Sequence, residues 1–274
     1  MSARLKVIVL GCGSSPGVPR IGNDWGACDP GEPKNRRTRC SLIVERHDNS
    51  GHGGERPTRV LIDTGPDMRA QLLAADVNFI DAVVYTHAHA DHVHGIDDLR
   101  AFWLETRRLV DVYADDATAT RLVQAFGYCF ATEPGSSYPP ILKRHPIAVG
   151  QPLTIDGAGG PLTLTPFRQI HGDIETLGLR VGNLAYSCDI SDLPPEALPQ
   201  LAGLDVWIVD ALRTKPHPSH FSVSEALTWI GRVKPQRAIL THMHVDLDYA
   251  TLKRELPAGV EPAYDGMTIE LPLE

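Results

Sequence analysis

The 274-residue chain has no apolar run approaching the roughly eighteen residues that a membrane-spanning helix needs, so no bilayer segment is predicted. Cysteine is scarce. Cys12, Cys28, Cys40, Cys129 and Cys188 are odd in number and scattered, which excludes the disulfide framework of a small secreted domain and predicts reduced thiols. Positive charge is not in excess either. A net charge of −8 counts against a protein whose whole surface grips nucleic acid, and any anionic substrate is expected to be small. The apolar segment 5–10 is too short for a signal-peptide core and no cleavage site follows it, so a cytoplasmic location is expected. A dinucleotide fingerprint is missing as well: after Gly11 and Gly13, Pro16 stands where a third glycine is wanted and no helical pattern follows. A tight turn is the expected role of that loop.

What remains is an ordinary globular composition, 42% hydrophobic and 22% charged, read as one domain over 1–274. The most informative stretch runs from Val83 to Gly95. An apolar strand ends there, and His87, His89, Asp91 and His92 crowd into six positions. Imidazole nitrogens with a hard carboxylate oxygen suit zinc, manganese or iron. In extended chain His87 and His89 project to the same side and can share an ion. Asp91 and His92, at the turn into a helix expected over 96–104, are aimed elsewhere. One short loop can therefore serve two ions.

Elsewhere the patterning predicts strands over 4–10, 40–45, 59–63 and 110–114, helices over 67–75 and 116–130, and a proline-rich loop over 132–146. The second half reads as short strands over 153–155, 162–170, 177–181, 184–188, 206–209, 237–240 and 267–271, with helices over 223–233 and 247–256. Ser222 and Glu225 form a capping-box pattern. His47 and His52 lie in a polar hairpin tip and are expected to be solvated. Several strand ends carry more ligand types: Asp63, read as a carboxylate that orients a metal-bound histidine, with a simple turn or cap as the other reading, then His171, Asp189 and His242. The loop 210–220 adds Arg213, Lys215, His217 and His220. The basic run 34–39 is expected to be solvated or internally paired, with phosphate contact as the other reading.

His87-Ala88-His89-Ala90-Asp91-His92, followed by Gly95, resembles the signature of the metallo-β-lactamase superfamily. The later order His171, Asp189, His242 resembles that superfamily's two-metal ligand set. The resemblance implies an α/β fold, a four-layer αβ/βα sandwich of two mixed sheets flanked by helices. It also implies two divalent ions, Zn²⁺ or Mn²⁺: His87, His89 and His171 on one, Asp91, His92 and His242 on the other, Asp189 bridging. Cys188, one position before Asp189, is expected to point to the opposite side of the strand, which argues against a true β-lactamase.

The segment 11–19, the run Arg36-Arg37 with Cys40-Ser41, His220 and Ile239-Leu240-Thr241-His242 resemble the cyclic phosphate phosphodiesterase branch. That likeness implies hydrolysis of small phosphodiesters, such as cyclic nucleotides or phosphoribosyl cyclic phosphate, by attack of a metal-bridging hydroxide. Catalytic roles fall to His220, as proton donor to the leaving alkoxide, and to Asp91. Arg213, Lys215, His217 and Arg37 are candidate phosphate holders, and a homodimer is implied. The branch also carries a structural zinc built from closely spaced cysteines. Only Cys28 stands in that stretch here, and His244 is two rather than three residues past His242, so this zinc is not expected. His94 and His244 are read as supporting or exposed residues. Two alternatives share the core: a transfer-RNA 3′-processing endonuclease and an accessory protein of pyrroloquinoline quinone biosynthesis.

Overall fold

The structure is a computed structural model and describes residues 3–48 and 56–273. Alternating apolar side chains build its first sheet. β1 (Ala3–Gly11) sends Leu5, Val7 and Val9 to one face and Ile8 and Leu10 to the other, the two-residue period of extended chain. β2 (Ser41–His47) and β3 (Thr58–Ile62) follow the same rule, with Leu42, Val44, Val60 and Ile62 facing one way and Ile43 and Leu61 the other. β4 (Ala82–Val84), β5 (Val110–Ala114), β6 (Leu142–Pro146) and β14 (Met267–Leu273) complete seven strands in the order β14-β1-β2-β3-β4-β5-β6. Pairing is antiparallel from β14 to β3 and parallel from β3 to β6.

The second sheet repeats this plan. β7 (Leu153–Ile155), β8 (Leu162–His171), β9 (Ile174–Val181) and β10 (Leu184–Ser187) pair antiparallel. β11 (Val206–Asp210), β12 (Arg237–Thr241) and β13 (Val260–Pro262) then continue from β10 in parallel. Phe167, Leu177, Leu179, Tyr186 and Trp207 from this sheet pack with Leu42, Val44 and Ile62 of the first to form the inter-sheet core.

Helices cover the outer faces. α1 (Met68–Ala74), α2 (Ala90–Val93) and α4 (Asp116–Phe130) bury Met68, Leu72, Val93 and Leu122 against Ile8, Ile43, Leu61 and Val83, and α3 (Arg100–Thr106) packs the partly buried Phe102 and Trp103 on the same cluster. α5 (Val223–Val233) and α6 (Tyr249–Glu255) place Ala226 and Leu252 against the other sheet. The result is the expected four-layer αβ/βα sandwich of two mixed sheets.

Several expectations need correction. The last five residues of the predicted loop 132–146 are β6, and β13 was not anticipated. Both are edge strands ending in proline, where a missing N–H costs no ladder bond. The helix expected over 96–104 is a 3-10 turn, Ile96–Leu99, followed by α3. His47 is not simply solvated, since its Nε2 lies 3.0 Å from Glu45 Oε2. His52 falls outside the described residues. The glycine loop does make the expected tight turn, with Gly17 N–H donating to the Ser14 carbonyl at 2.7 Å, and it is also clamped: Gly13 N–H donates to the Thr38 carbonyl at 2.8 Å, and Met243 N–H to that of Cys12 at 2.9 Å. Those bonds fix the backbone beside His242.

Candidate metal centre

β3 and β4 run parallel, as do β10, β11 and β12, and β8 shares the direction of β10 through two antiparallel steps. The carboxyl ends of these strands therefore open on the same edge of the sandwich. Asp63 follows β3, His87 follows β4, His171 ends β8, Asp189 follows β10, Asp210 ends β11 and His242 follows β12. Loops at such ends combine a rigid base with freedom to present polar groups. Asp63, Asp189 and His242 all adopt left-handed backbone, with φ of 62°, 53° and 58°. Such conformations cost on the order of 1–3 kcal/mol each and persist where surrounding contacts over-determine them.

Asp189 sits at the middle of the cluster, 1% exposed. Its two oxygens face different partners. Oδ2 lies 3.6 Å from both His87 Nε2 and His171 Nε2, and His171 Nε2 is 3.3 Å from His89 Nδ1. Oδ1 lies 3.2 Å from both His92 Nε2 and His242 Nε2, and Asp91 Oδ2 is 3.6 and 3.8 Å from those same nitrogens. The structure thus brings all seven residues of the expected ligand set together, in two groups divided by one carboxylate.

Asp63 anchors both groups. Its Oδ2 accepts from His92 Nδ1 at 2.7 Å and from Thr86 Oγ1 at 2.7 Å, while Oδ1 accepts the Thr86 amide at 2.8 Å. Because the Thr86 hydroxyl donates to Asp63, it accepts from His87 Nδ1, 3.0 Å away. His171 Nδ1 donates to the Ser219 carbonyl at 2.5 Å. In the neutral ring each of these bonds puts the proton on Nδ1, which leaves Nε2 as the atom that can take a cation.

Glycine makes the strap possible. The Thr64 amide donates to the His92 carbonyl and the Gly95 amide to that of Thr64, both at 2.7 Å. A Cβ on Gly65 would lie 2.4 Å from the Asp91 carbonyl, and one on Gly95 would lie 2.2 Å from the Gly65 carbonyl.

The electrostatics show what the cluster lacks. His87 Nε2, Asp91 Oδ2, His92 Nε2 and His242 Nε2 are buried with no hydrogen-bond partner among the described residues, although an unmet buried polar atom costs about 1–3 kcal/mol. Burial disfavours the His92 and His242 cations, yet the neighbouring aspartates outweigh it. Asp189 and Asp63 raise the His92 pKa well above its ordinary value, and Asp189 and Asp91 push that of His242 up to about 10. Against the cost of burial, His242 and His92 hold the Asp189 carboxyl well below the usual range. Burial and the His92 charge keep His87 neutral. Converging, unpaired nitrogen and oxygen donors of this kind fit a divalent cation.

His220 stands against the second group, 8% exposed. Its ring stacks on His242 at 4.6 Å between centroids and meets His171 edge-on at 4.6 Å. Nδ1 donates to Asp210 Oδ2 at 2.7 Å, and Asp210 also accepts the Ile190 amide at 3.1 Å. Asp210 was assigned no role from sequence. A carboxylate ending a buried strand ten residues before a candidate proton donor was the available signal.

Residues 58–243 match the model of the β-lactamase superfamily domain. The chain belongs to the metallo-β-lactamase superfamily. A solved structure described as a new diphosphatase from the PhnP family is 36% identical, covers 100% of this chain and 99% of its own, and superposes with a TM-score of 0.87. An octanoyltransferase from Porphyromonas gingivalis is 32% identical over 269 residues, 96% of this chain and 51% of its own length. A ribonuclease Z from Bradyrhizobium is 30% identical over 176 residues, 62% of this chain and 51% of its own length. The chain spans about half the length of these curated relatives. Its fold is that of the superfamily, and its His/Asp cluster suits a divalent cation.

Not every expected residue of this superfamily member reaches the cluster. Arg37 does not hold phosphate: it is 1% exposed, and its guanidinium donates to the carbonyls of Leu247 at 2.6 Å and His244 at 3.3 Å. That bonding pins the segment beyond His242. In the rest of the basic run Arg39 lies 3.0 Å from Asp67 and Lys34 donates to the Tyr249 hydroxyl at 3.2 Å, while Arg36 is exposed over the Trp25 ring. Arg213 curls onto its own loop, donating to the carbonyls of Lys215 and Pro216, while Lys215 is exposed. His217 lies 5.2 Å from His220, and burial together with that neighbour lowers its pKa. His244 pairs with Asp246 at 3.3 Å, away from the cluster. Cys188 does not point away, because its Sγ donates to Asp189 Oδ1 at 3.0 Å. Alternation holds only in extended backbone, and the left-handed turn at Asp189 ends it.

Proposed function

We propose that the chain hydrolyses small phosphodiesters with two divalent cations, Zn²⁺ or Mn²⁺. The division of Asp189 between two donor groups carries this reading: His87, His89 and His171 would hold one cation, Asp91, His92 and His242 the other, with Asp189 shared. Cations held there supply Lewis acidity that ionises water near neutral pH and neutralises charge on a phosphoryl group. Likeness to a diphosphatase over the whole chain supports phosphorus as the centre attacked.

The protein's own groups do the rest. Asp210 holds the His220 ring by Nδ1 and fixes its orientation, leaving Nε2 as the atom that would give a proton to the departing alkoxide. His217 and Lys215, on the same loop, would meet phosphate oxygens. Asp63 keeps His92 and, through Thr86, His87 in register. The ribonuclease Z likeness favours a transfer-RNA 3′-processing endonuclease as second reading, against which the net charge of −8 counts.

Bis(p-nitrophenyl) phosphate tests the proposal. Metal-loaded protein is expected to turn it over, Asp91→Asn to abolish that turnover, and His220→Ala to reduce it by roughly 10²–10⁴ with two metals still bound. No turnover by the loaded protein, or none lost in Asp91→Asn, would remove the phosphodiesterase. Cleavage of a precursor transfer RNA in its place would establish the second reading.

A further inference from the structure

A groove of about 450 Å³ runs from the metal cluster along α4, and the proposed chemistry makes no use of it. Its inner end is His89, an exposed member of the cluster. One wall is α4, which leaves helical geometry at Phe126, with φ of −132° and ψ of 36°, just before Gly127. The break sets the half-buried Phe126 ring edge-on to the exposed His94 ring, 5.7 Å between centroids at 78°. Ala88, Ala90 and Ala125 contribute only methyl groups to the groove beside the half-buried Phe126 ring. Arg121 and Gln124, exposed and three residues apart on one helix face, complete it with a cation and an amide.

A phosphoryl group at the cluster leaves this space to whatever is esterified to it. The volume falls in the range of small-molecule sites, roughly 300–1,000 Å³. An acyl chain would desolvate Arg121 and Gln124 without pairing them. A flat heterocycle uses everything present: a ring to stack on, a cation that stacks or donates, and an amide that both donates and accepts. Resting on the phosphodiesterase reading, we infer that the groove is a nucleoside subsite, so that the substrate is a nucleotide ester or a nucleoside diphosphate derivative. Phe126 is its stacking platform, His94 braces that ring, and Arg121 and Gln124 meet the polar edge of the base.

Thymidine 5′-(p-nitrophenyl phosphate) and methyl p-nitrophenyl phosphate share a scissile bond and differ by the nucleoside. Metal-loaded protein is expected to prefer the thymidine ester by roughly tenfold or more in kcat/KM. Phe126→Ala should remove that preference and leave the methyl ester within about twofold. Arg121→Ala, on an exposed side chain that the fold does not need, should lower it in part. Binding gives a second readout without turnover: thymidine 5′-monophosphate should bind tighter than inorganic phosphate by calorimetry, and Phe126→Ala should equalise the two. Equal rates on both esters, equal losses in the variants, or equal binding of monophosphate and phosphate would overturn the subsite. Phe126-dependent nucleotide binding with neither ester hydrolysed would instead retain the subsite and overturn the phosphodiesterase.

Discussion

A carboxylate removed from water is costly unless its lone pairs are used, and Asp63 uses them on His92 and on both polar groups of Thr86. One side chain thus orients imidazoles belonging to both donor groups. Asp63→Ala would leave His92 Nδ1 and the Thr86 hydroxyl unmet and free both rings to turn. We expect metal affinity to fall about 10–100-fold, measured as metal per chain after equilibrium dialysis against a chelator. Unchanged affinity in the folded variant would show that the rings need no anchor. Asp63 could be read from sequence because it ends an apolar strand. Asp210 ends one too, but its worth depends on His220 returning to it, which only the folded loop reveals. Arg37 misled for the same reason: a cation in a basic run signals phosphate until tertiary structure shows carbonyls around it.

The strands were legible because apolar alternation specifies them, and their ends located the ligands. Elements that lie at sheet edges, β6 and β13, carry weak patterns because only part of each is buried. Less visible still was the one-turn α2, which holds Asp91 and His92 with too few residues to show a helical period. Its position depends on close backbone approach rather than on side-chain pattern. Gly95 has an ordinary negative φ of −90°, so an alanine there meets no intrinsic strain but does meet the Gly65 carbonyl at 2.2 Å and the Thr64 carbonyl at 3.1 Å. Relieving that overlap must push α2 away from the end of β3. Gly95→Ala should cost about 1–3 kcal/mol in urea unfolding and weaken metal binding together with it. Stability lost with metal affinity intact would mean that the strap supports the fold and not the centre.

Across the whole molecule, two sheets packed face to face carry a cluster of buried charge at one edge of the sandwich, and protons occupy it when cations do not. In the metal-free protein His242 has its pKa raised to about 10, and that of His92 is raised as well. A group whose folded pKa is raised contributes stability that is whole below its unfolded value, about 6.5, and is lost as pH climbs through the folded one. Asp189 and Asp91, lowered, act in the opposite sense and lose their contribution only in acid. Asp265, raised to about 6 chiefly by burial, loses its own between about pH 4 and 6, with or without metal. Above pH 7 the histidines alone remain to titrate among these groups. Metal-free protein should therefore become steadily less stable from pH 7 to about 9.5. Bound cations displace the same protons and remove that dependence. Urea midpoints across this range, in chelator and with saturating Zn²⁺ or Mn²⁺, test it: a parallel alkaline decline in both forms would show that the imidazoles of the cluster are not what the metal replaces.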